Sequence, residues 1–145
     1  MKKVLFVCTG NSARSIIAES IINHKHNKFY KGYSAGSNPA GKINPWVKTF
    51  LEKEKNYNLN NYFSKNFDIF LNGKINFHQV ITVCNSANLE VCPVWPDKKE
   101  ILHWDIDDPV VKMKDERDEK KAFLILNSTF KIIEDKINSW MRNDK

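Results

Sequence analysis

This 145-residue chain predicts an α/β fold built on a parallel sheet. Three observations lead there. Short apolar, β-branched runs alternate with segments of helical period, an order that needs crossover connections and therefore parallel strands. The first run, Val4-Leu5-Phe6-Val7, is apolar without alternation, as expected of a strand covered on both faces. Cys8 and Cys84 stand at the ends of two such runs, where open α/β sheets place their ligands.

The elements follow in order. Lys3 to Val7 is the first strand. Ser15 to about His26 is a helix, with Ile17, Ala18, Ile21 and Ile22 on one face. His24 and His26 lie two apart, so on a helix they diverge and cannot share a metal; both read as surface histidines. Phe29 to Ala35 is the second strand, and Gly36-Ser37-Asn38-Pro39-Ala40-Gly41 is a loop of turn residues. Asn44-Pro45 reads as N-cap and first residue of a helix reaching about Lys55. Asn56 to Asn61 is polar and turn-like. Ser64 to Leu71 suggests a short helix stopped at Asn72-Gly73. Val80 to Val83 is the third strand and Glu100 to Trp104 the fourth. The longest helix runs from about Asp115 to Met141. Its stripe of Phe123, Leu126, Phe130, Ile133, Ile137 and Trp140 is too short for a coiled coil and suits packing on the sheet. No repeat or linker interrupts the pattern, so residues 1–145 read as one domain.

Composition narrows the function classes. With 41% hydrophobic residues the chain can bury a core. No apolar run approaches membrane-spanning length, and Met1-Lys2-Lys3 leads into a strand without a cleavage-site pattern, so the expected compartment is the cytoplasm. The net charge of +6 raises nucleic acid as a partner, but the lysines are scattered and acids are mixed among them from Asp115 to Glu119. A solvated Lys-rich surface is the better reading, one that also draws in anions. A monomer is the default.

The chemistry gathers in Cys8-Thr9-Gly10-Asn11-Ser12-Ala13-Arg14-Ser15, between a strand and a helix. Five residues between Cys and Arg can curl so that backbone N–H groups point into one hole, to which the helix adds the positive end of its dipole. Such a hole suits a tetrahedral oxyanion, with Arg14 clamping two of its oxygens. The same field favours the thiolate of Cys8, the nucleophilic form. Gly10 and Asn11 tolerate left-handed backbone. Ser12 and Ala13 leave the hole open, and Ser15 can bond the sulfur and also cap the helix. A structural cysteine before a capped helix is the competing reading. No Gly-Lys-Ser/Thr follows, so this is not the phosphate loop of nucleotide enzymes.

The second cysteine segment, Cys84-Asn85-Ser86-Ala87-Asn88-Leu89-Glu90-Val91-Cys92, does not have zinc spacing, and His103 is the one possible fourth ligand. A redox reading uses all three sulfurs. If this polar segment moves, Cys84 reaches Cys8, and Cys92 then attacks Cys84 and carries the disulfide outward. Two unrelated buried cysteines are the alternative. A proton donor is also needed where an oxygen leaves the bound anion, and Asp105, Asp107 and Asp108 all qualify on chemistry.

The run from Val4 to Ser15, with Val83-Cys84-Asn85-Ser86-Ala87, Val91-Cys92-Pro93, His103-Trp104 and Asp108-Pro109, resembles the low-molecular-weight tyrosine phosphatase superfamily, and in particular its thioredoxin-coupled arsenate reductases. The resemblance implies a three-layer sandwich with a four-stranded parallel sheet flanked by helices. It implies arsenate reduction by Cys8, Cys84 and Cys92 in turn, with thioredoxin as reductant, Asp108 as the acid, and no metal or organic cofactor. The plain phosphatases do not need the second and third cysteines. They usually follow the Asp-Pro dipeptide with tyrosines, where this chain has Val110-Val111. Asp105 stands where relatives often have glycine. Asn11, Glu19 and Ser34 resemble positions that bind a monovalent cation in some relatives, although spacing alone shows no such site.

Overall fold

In the computed structural model, which describes residues 1–85 and 101–144, four parallel strands form one sheet in the order β2-β1-β3-β4. They are β1 (Lys2–Cys8), β2 (Tyr30–Gly36), β3 (Gln79–Cys84) and β4 (Ile101–Asp105). β1 is flanked on both sides, with Val7 in register with Ala35 of β2 and Thr82 of β3. This central place explains its unbroken apolar run, since Val4 to Val7 are fully buried. The ends of β1 and β3 are therefore neighbours, and they carry Cys8 and Cys84.

The helices are α1 (Arg14–Lys25), α2 (Pro45–Lys53), α3 (Pro109–Lys112) and α4 (Glu119–Asn143), with a 3-10 turn at Phe67–Phe70. Residues of α1, α2 and α4 pack on the sheet face bearing Val4, Phe6, Cys8, Ile81 and Val83. On the other face Leu5, Val7, Ala35 and Val80 pack with Phe77, Phe67 and Phe70. β2 can lie close under α1 because it carries Gly32, where a Cβ would come within 2.9 Å of Ile22 Cβ.

Several local expectations are corrected. α1 is buried at every position from Arg14 to Ile22, not on one stripe, because α4 and β2 enclose it. His24 and His26 are half-buried. The His24 ring stacks on Tyr57 with centroids 4.1 Å apart and accepts the Asn58 N–H at Nε2, and burial holds the His26 pKa below its usual value. The long helix starts at Glu119, where Asp118 caps it by accepting the Lys120 N–H. Asp115 has a left-handed φ of 63°, which breaks the chain between α3 and α4. The Asn44 cap is as expected, accepting from the Trp46 and Val47 N–H groups. At the far end of α4, Asp144 binds Lys2 Nζ, Tyr30 OH and His78 Nε2 at 2.9, 2.7 and 2.7 Å, tying the helix to the N-terminal edge of the sheet. No described helix is long and apolar enough to cross a membrane.

Candidate functional site

The loop from Cys8 to Arg14 is shaped from outside. The carbonyls of Cys8, Thr9, Gly10 and Ser12 accept hydrogen bonds from the N–H groups of Ser37, Asn38, Ala40 and Asn44, at 2.9–3.1 Å. With those carbonyls held outward, the N–H edges of the loop turn inward, as an anion-binding concavity requires. The turn-rich segment after β2 thus acts as the mould for the loop. Gly36 permits it: a Cβ there would meet the Thr9 carbonyl at 2.5 Å and the Asn11 backbone nitrogen at 3.1 Å. Sequence reading passed over Gly36; its one signal was its place between a strand and a run of turn residues.

Inside the loop, Asn11 has the left-handed backbone, with φ 45°, whereas Gly10 does not. Its N–H donates to Cys8 Sγ at 3.1 Å. Ser15 lies 2.8 Å from the same sulfur. Ser15 does not cap α1; the cap position is Ala13, which makes no side-chain cap bond. Its hydroxyl oxygen instead accepts from Asn11 Nδ2 at 2.8 Å, which leaves the hydroxyl hydrogen for the sulfur. Cys8 is a free thiol and is buried at the floor of the loop.

Behind the loop a polar chain runs inward. Asn11 Nδ2 also donates to Ser34 Oγ at 3.0 Å, and Ser34 Oγ donates to Glu19 Oε1 at 2.5 Å. Asn11 Oδ1 accepts the Lys65 N–H. Burial raises the Glu19 pKa to about 7, against the lowering pull of Lys65 and the Ser34 hydrogen bond. Burial likewise lowers the Lys65 pKa, while Glu19 and Cys8 act to raise it. Asn11, Glu19 and Ser34 do come together, as their resemblance to cation-binding positions implies. As placed, Ser34 Oγ bonds both Asn11 Nδ2 and Glu19 Oε1 while Asn11 Oδ1 is taken by the Lys65 N–H, and no chemistry below is routed through a cation. No cluster of three or more His, Cys, Asp or Glu suited to a metal occurs among the described residues.

Arg14 is 3% exposed. Its Nη1 donates to the Ile106 carbonyl at 2.9 Å and its Nη2 lies 3.6 Å from Asp108 Oδ2. One guanidinium therefore joins the Cys8 to Arg14 loop to the loop after β4. Asp108 fills two roles at once: Oδ1 caps α3 by accepting the Val110 N–H at 2.9 Å, and Oδ2 faces Arg14. Asp105 stands apart from this site, on β4 and bonded to His103. Asp107 binds Lys112 at 3.3 Å and accepts from Asn85. The loop, Asn85, Asp107, Asp108 and Val110 to Lys112 line a cavity of about 560 Å³ with Cys8 in its wall.

Cys84 is fully buried and disulfide-bonded. Val83 packs on the Cys8 side of the sheet, so strand alternation turns Cys84 to the opposite face. The two sulfurs thus sit on neighbouring strand ends but on different surfaces. Cys84 is paired with Asp105, and its carbonyl accepts the Ile106 N–H at 3.2 Å. Cys92 and the expected mobile segment lie outside the described residues.

The family model for the low molecular weight phosphotyrosine protein phosphatases matches residues 3–145. The chain belongs to that family. Within it, an arsenate reductase of Halalkalibacterium halodurans is 36% identical over 108 residues, 74% of each chain. The solved structure of an arsenate reductase from Archaeoglobus fulgidus superposes with a TM-score of 0.62 at 29% identity, covering 90% of this chain and 98% of that one. A thioredoxin-dependent arsenate reductase of Corynebacterium glutamicum gives 0.64 at 27% identity, covering 99% of this chain and 64% of the longer relative. The four-stranded parallel sheet with helices is thus the family's fold.

Proposed function

We propose that this family member reduces arsenate to arsenite by a relay of Cys8, Cys84 and Cys92, and that thioredoxin restores it. The carrying observation is the place of Cys84, at the end of the strand beside the one that delivers Cys8. Phosphate-ester hydrolysis has no use for a second cysteine there. The relatives named arsenate reductase, one of them thioredoxin-dependent, support the same reading.

Arsenate enters the loop, where Arg14 and the loop N–H groups other than that of Asn11, which bonds Cys8 Sγ, hold its oxygens. Cys8 sulfur attacks arsenic, and Asp108 protonates the departing oxygen. Cys84 then attacks Cys8 sulfur: the S–S bond forms, the S–As bond breaks, and its electron pair reduces arsenic(V) to arsenic(III). Cys92 attacks Cys84, freeing Cys8 as thiolate, and a dithiol partner reduces the Cys84–Cys92 disulfide. Such a partner belongs to a reducing compartment, in keeping with a cytoplasmic enzyme. For Cys84 to reach Cys8 the last residue of β3 must leave its ladder with β4, breaking the bond from Ile106 N–H.

A second reading is hydrolysis of phosphate monoesters through a Cys8 phosphocysteine. The cavity favours it, since about 560 Å³ exceeds what one oxyanion fills. Against it, the rim offers Val110 and the 70% exposed Val111 where an aromatic substrate would want rings. Cys84→Ser separates the two. The relay requires that arsenate turnover stops while hydrolysis of p-nitrophenyl phosphate continues; sustained arsenate turnover in that variant refutes it.

A further inference from the structure

The sheet face opposite Cys8 carries a polar cluster that the loop chemistry does not use. Thr82 and His103 are register partners across β3 and β4, and the next partners on that face are Cys84 and Asp105. Thr82 Oγ1 lies 2.8 Å from His103 Nδ1, and His103 Nε2 lies 2.9 Å from Asp105 Oδ1. The imidazole is therefore pinned at both nitrogens, diagonally across from Cys84. β4 is an edge strand and the His103 side chain is 37% exposed, so the ring can exchange protons with water. Around the cluster, β1 contributes Val7 beside Thr82, and the pair before it is Val80 and Ile101, all apolar. Among the described residues, the ionisable neighbours on this face are Asp105 from the ring's own strand and, once its disulfide is reduced, Cys84 from β3.

The bonding serves either protonation state of the ring. In the neutral form the Thr82 hydroxyl donates to Nδ1 while Nε2–H donates to Asp105. In the protonated form Nδ1–H donates to Thr82 Oγ1, whose hydrogen turns to the Leu102 carbonyl 3.5 Å away, and the Asp105 carboxylate balances the charge. Taking up a proton at Nδ1 requires only a hydroxyl rotation.

We propose that His103, held by Thr82 and Asp105, takes the proton of the Cys84 thiol and so prepares Cys84 as the second nucleophile. This rests on the relay reading. The Cys84 proton passes to Thr82 Oγ1, which hands its own to His103 Nδ1. The thiolate then attacks Cys8 sulfur; S–S forms, S–As breaks, and the electron pair goes to arsenic as two cysteine sulfurs become a disulfide. His103 loses its proton to water at the sheet edge. When Cys84 later departs as thiolate on reduction of its disulfide, the ring, reprotonated from water at the sheet edge, returns a proton through Thr82. Thr82 relays the proton, and Asp105 is a positioning residue.

The test uses the reduced full chain. Iodoacetamide labelling of Cys84 is followed by mass spectrometry against pH, and arsenate-driven Cys8–Cys84 disulfide formation is timed at neutral pH. His103→Gln can still bond both neighbours but cannot take the proton. Its Cys84 labelling midpoint should rise by about one pH unit, about a tenfold loss of thiolate at neutral pH. Disulfide formation should slow by about as much. Cys8 labelling and p-nitrophenyl phosphate hydrolysis should match the parent. Thr82→Val should reproduce the shift, and added imidazole should restore the rate in His103→Ala. An unshifted Cys84 profile in both His103→Gln and Thr82→Val overturns the proposal. A parent chain that forms no disulfide with arsenate refutes the relay instead, and the labelling profile then decides the proton transfer alone.

Discussion

Gly36→Ala tests whether the anion loop is moulded by the strand beside it. Gly36 has no left-handed backbone, so alanine is conformationally allowed and would by itself stabilise the chain by about 0.4–1 kcal/mol through the unfolded state. The contacts reverse that sign. The new Cβ would lie 2.5 Å from the Thr9 carbonyl oxygen, 3.0 Å from Asn11 Cβ and 3.1 Å from Asn11 N. These are loop backbone and its first side-chain atom, not the flexible tip of a side chain, so the loop must shift by most of an ångström. Asn11 cannot yield without stretching its 3.1 Å bond to Cys8 Sγ. Overpacking of this kind costs about 1–3 kcal/mol, which for a chain of this size lowers Tm by about 3–10 °C. A loop displaced by nearly 1 Å should slow Cys8 chemistry by about a hundredfold. Calorimetry reads the first effect and single-turnover arsenate reduction the second. A variant that melts at or above the parent temperature and keeps the parent rate would show that Gly36 does not shape the loop.

Other outcomes follow from the same geometry. Asp108→Asn keeps a good cap on α3 but takes the counter-charge from buried Arg14, so stability should fall by about 1–3 kcal/mol, while loss of the proton donor slows the first chemical step by about a hundredfold in rapid-quench kinetics. Glu19, buried and with its pKa raised to about 7, binds its proton in the folded chain where the unfolded chain, near 4.5, has lost it. Its contribution is complete below about pH 4.5 and is lost as pH rises to about 7, a fall of roughly 3 kcal/mol at most; Glu19→Gln should flatten that part of a urea-unfolding profile. For Asp144, burial would raise the pKa, but hydrogen bonds from His78, Tyr30 and Lys2 outweigh it and hold the value at about 2. The stability it supplies is present above its ordinary value of 3.8 and lost as pH falls toward 2. Asp144→Asn should lower Tm at neutral pH and show a smaller further loss on acidification. If the parent and Asn variants lose stability equally on acidification, the tether is not electrostatic.

Legibility differed from residue to residue. Strand β1, the Asn44-Pro45 cap and the Cys8 to Arg14 loop could be read because each depends on neighbours in the chain. The buried run needs only its own β-branched and aromatic residues, and the cap only a side chain two or three positions from its donor. Asp108 was harder, because its two neighbouring aspartates have the same chemistry. What separates them is where the loop after β4 lands: Asp108 beside Arg14, Asp105 bonded to His103, Asp107 on Lys112. Ser15 has the right composition for a cap, yet Asn11 Nδ2 claims its oxygen and the sulfur claims its hydrogen.

By itself the sequence determined a parallel α/β sheet, the strand–loop–helix that brings a cysteine and an arginine to one cavity, and a second cysteine at a strand end. Those properties follow from local propensity, periodicity and short spacings, which act over a few residues. Tertiary structure alone decided that Gly36 and the segment after it mould the loop. It also decided that Glu19, Ser34 and Asn11 connect behind it, and that Cys84 faces away from Cys8 beside a pinned histidine. Each of these depends on contacts between residues far apart in the chain, and strand order, register and side-chain face are set only when the whole sheet assembles.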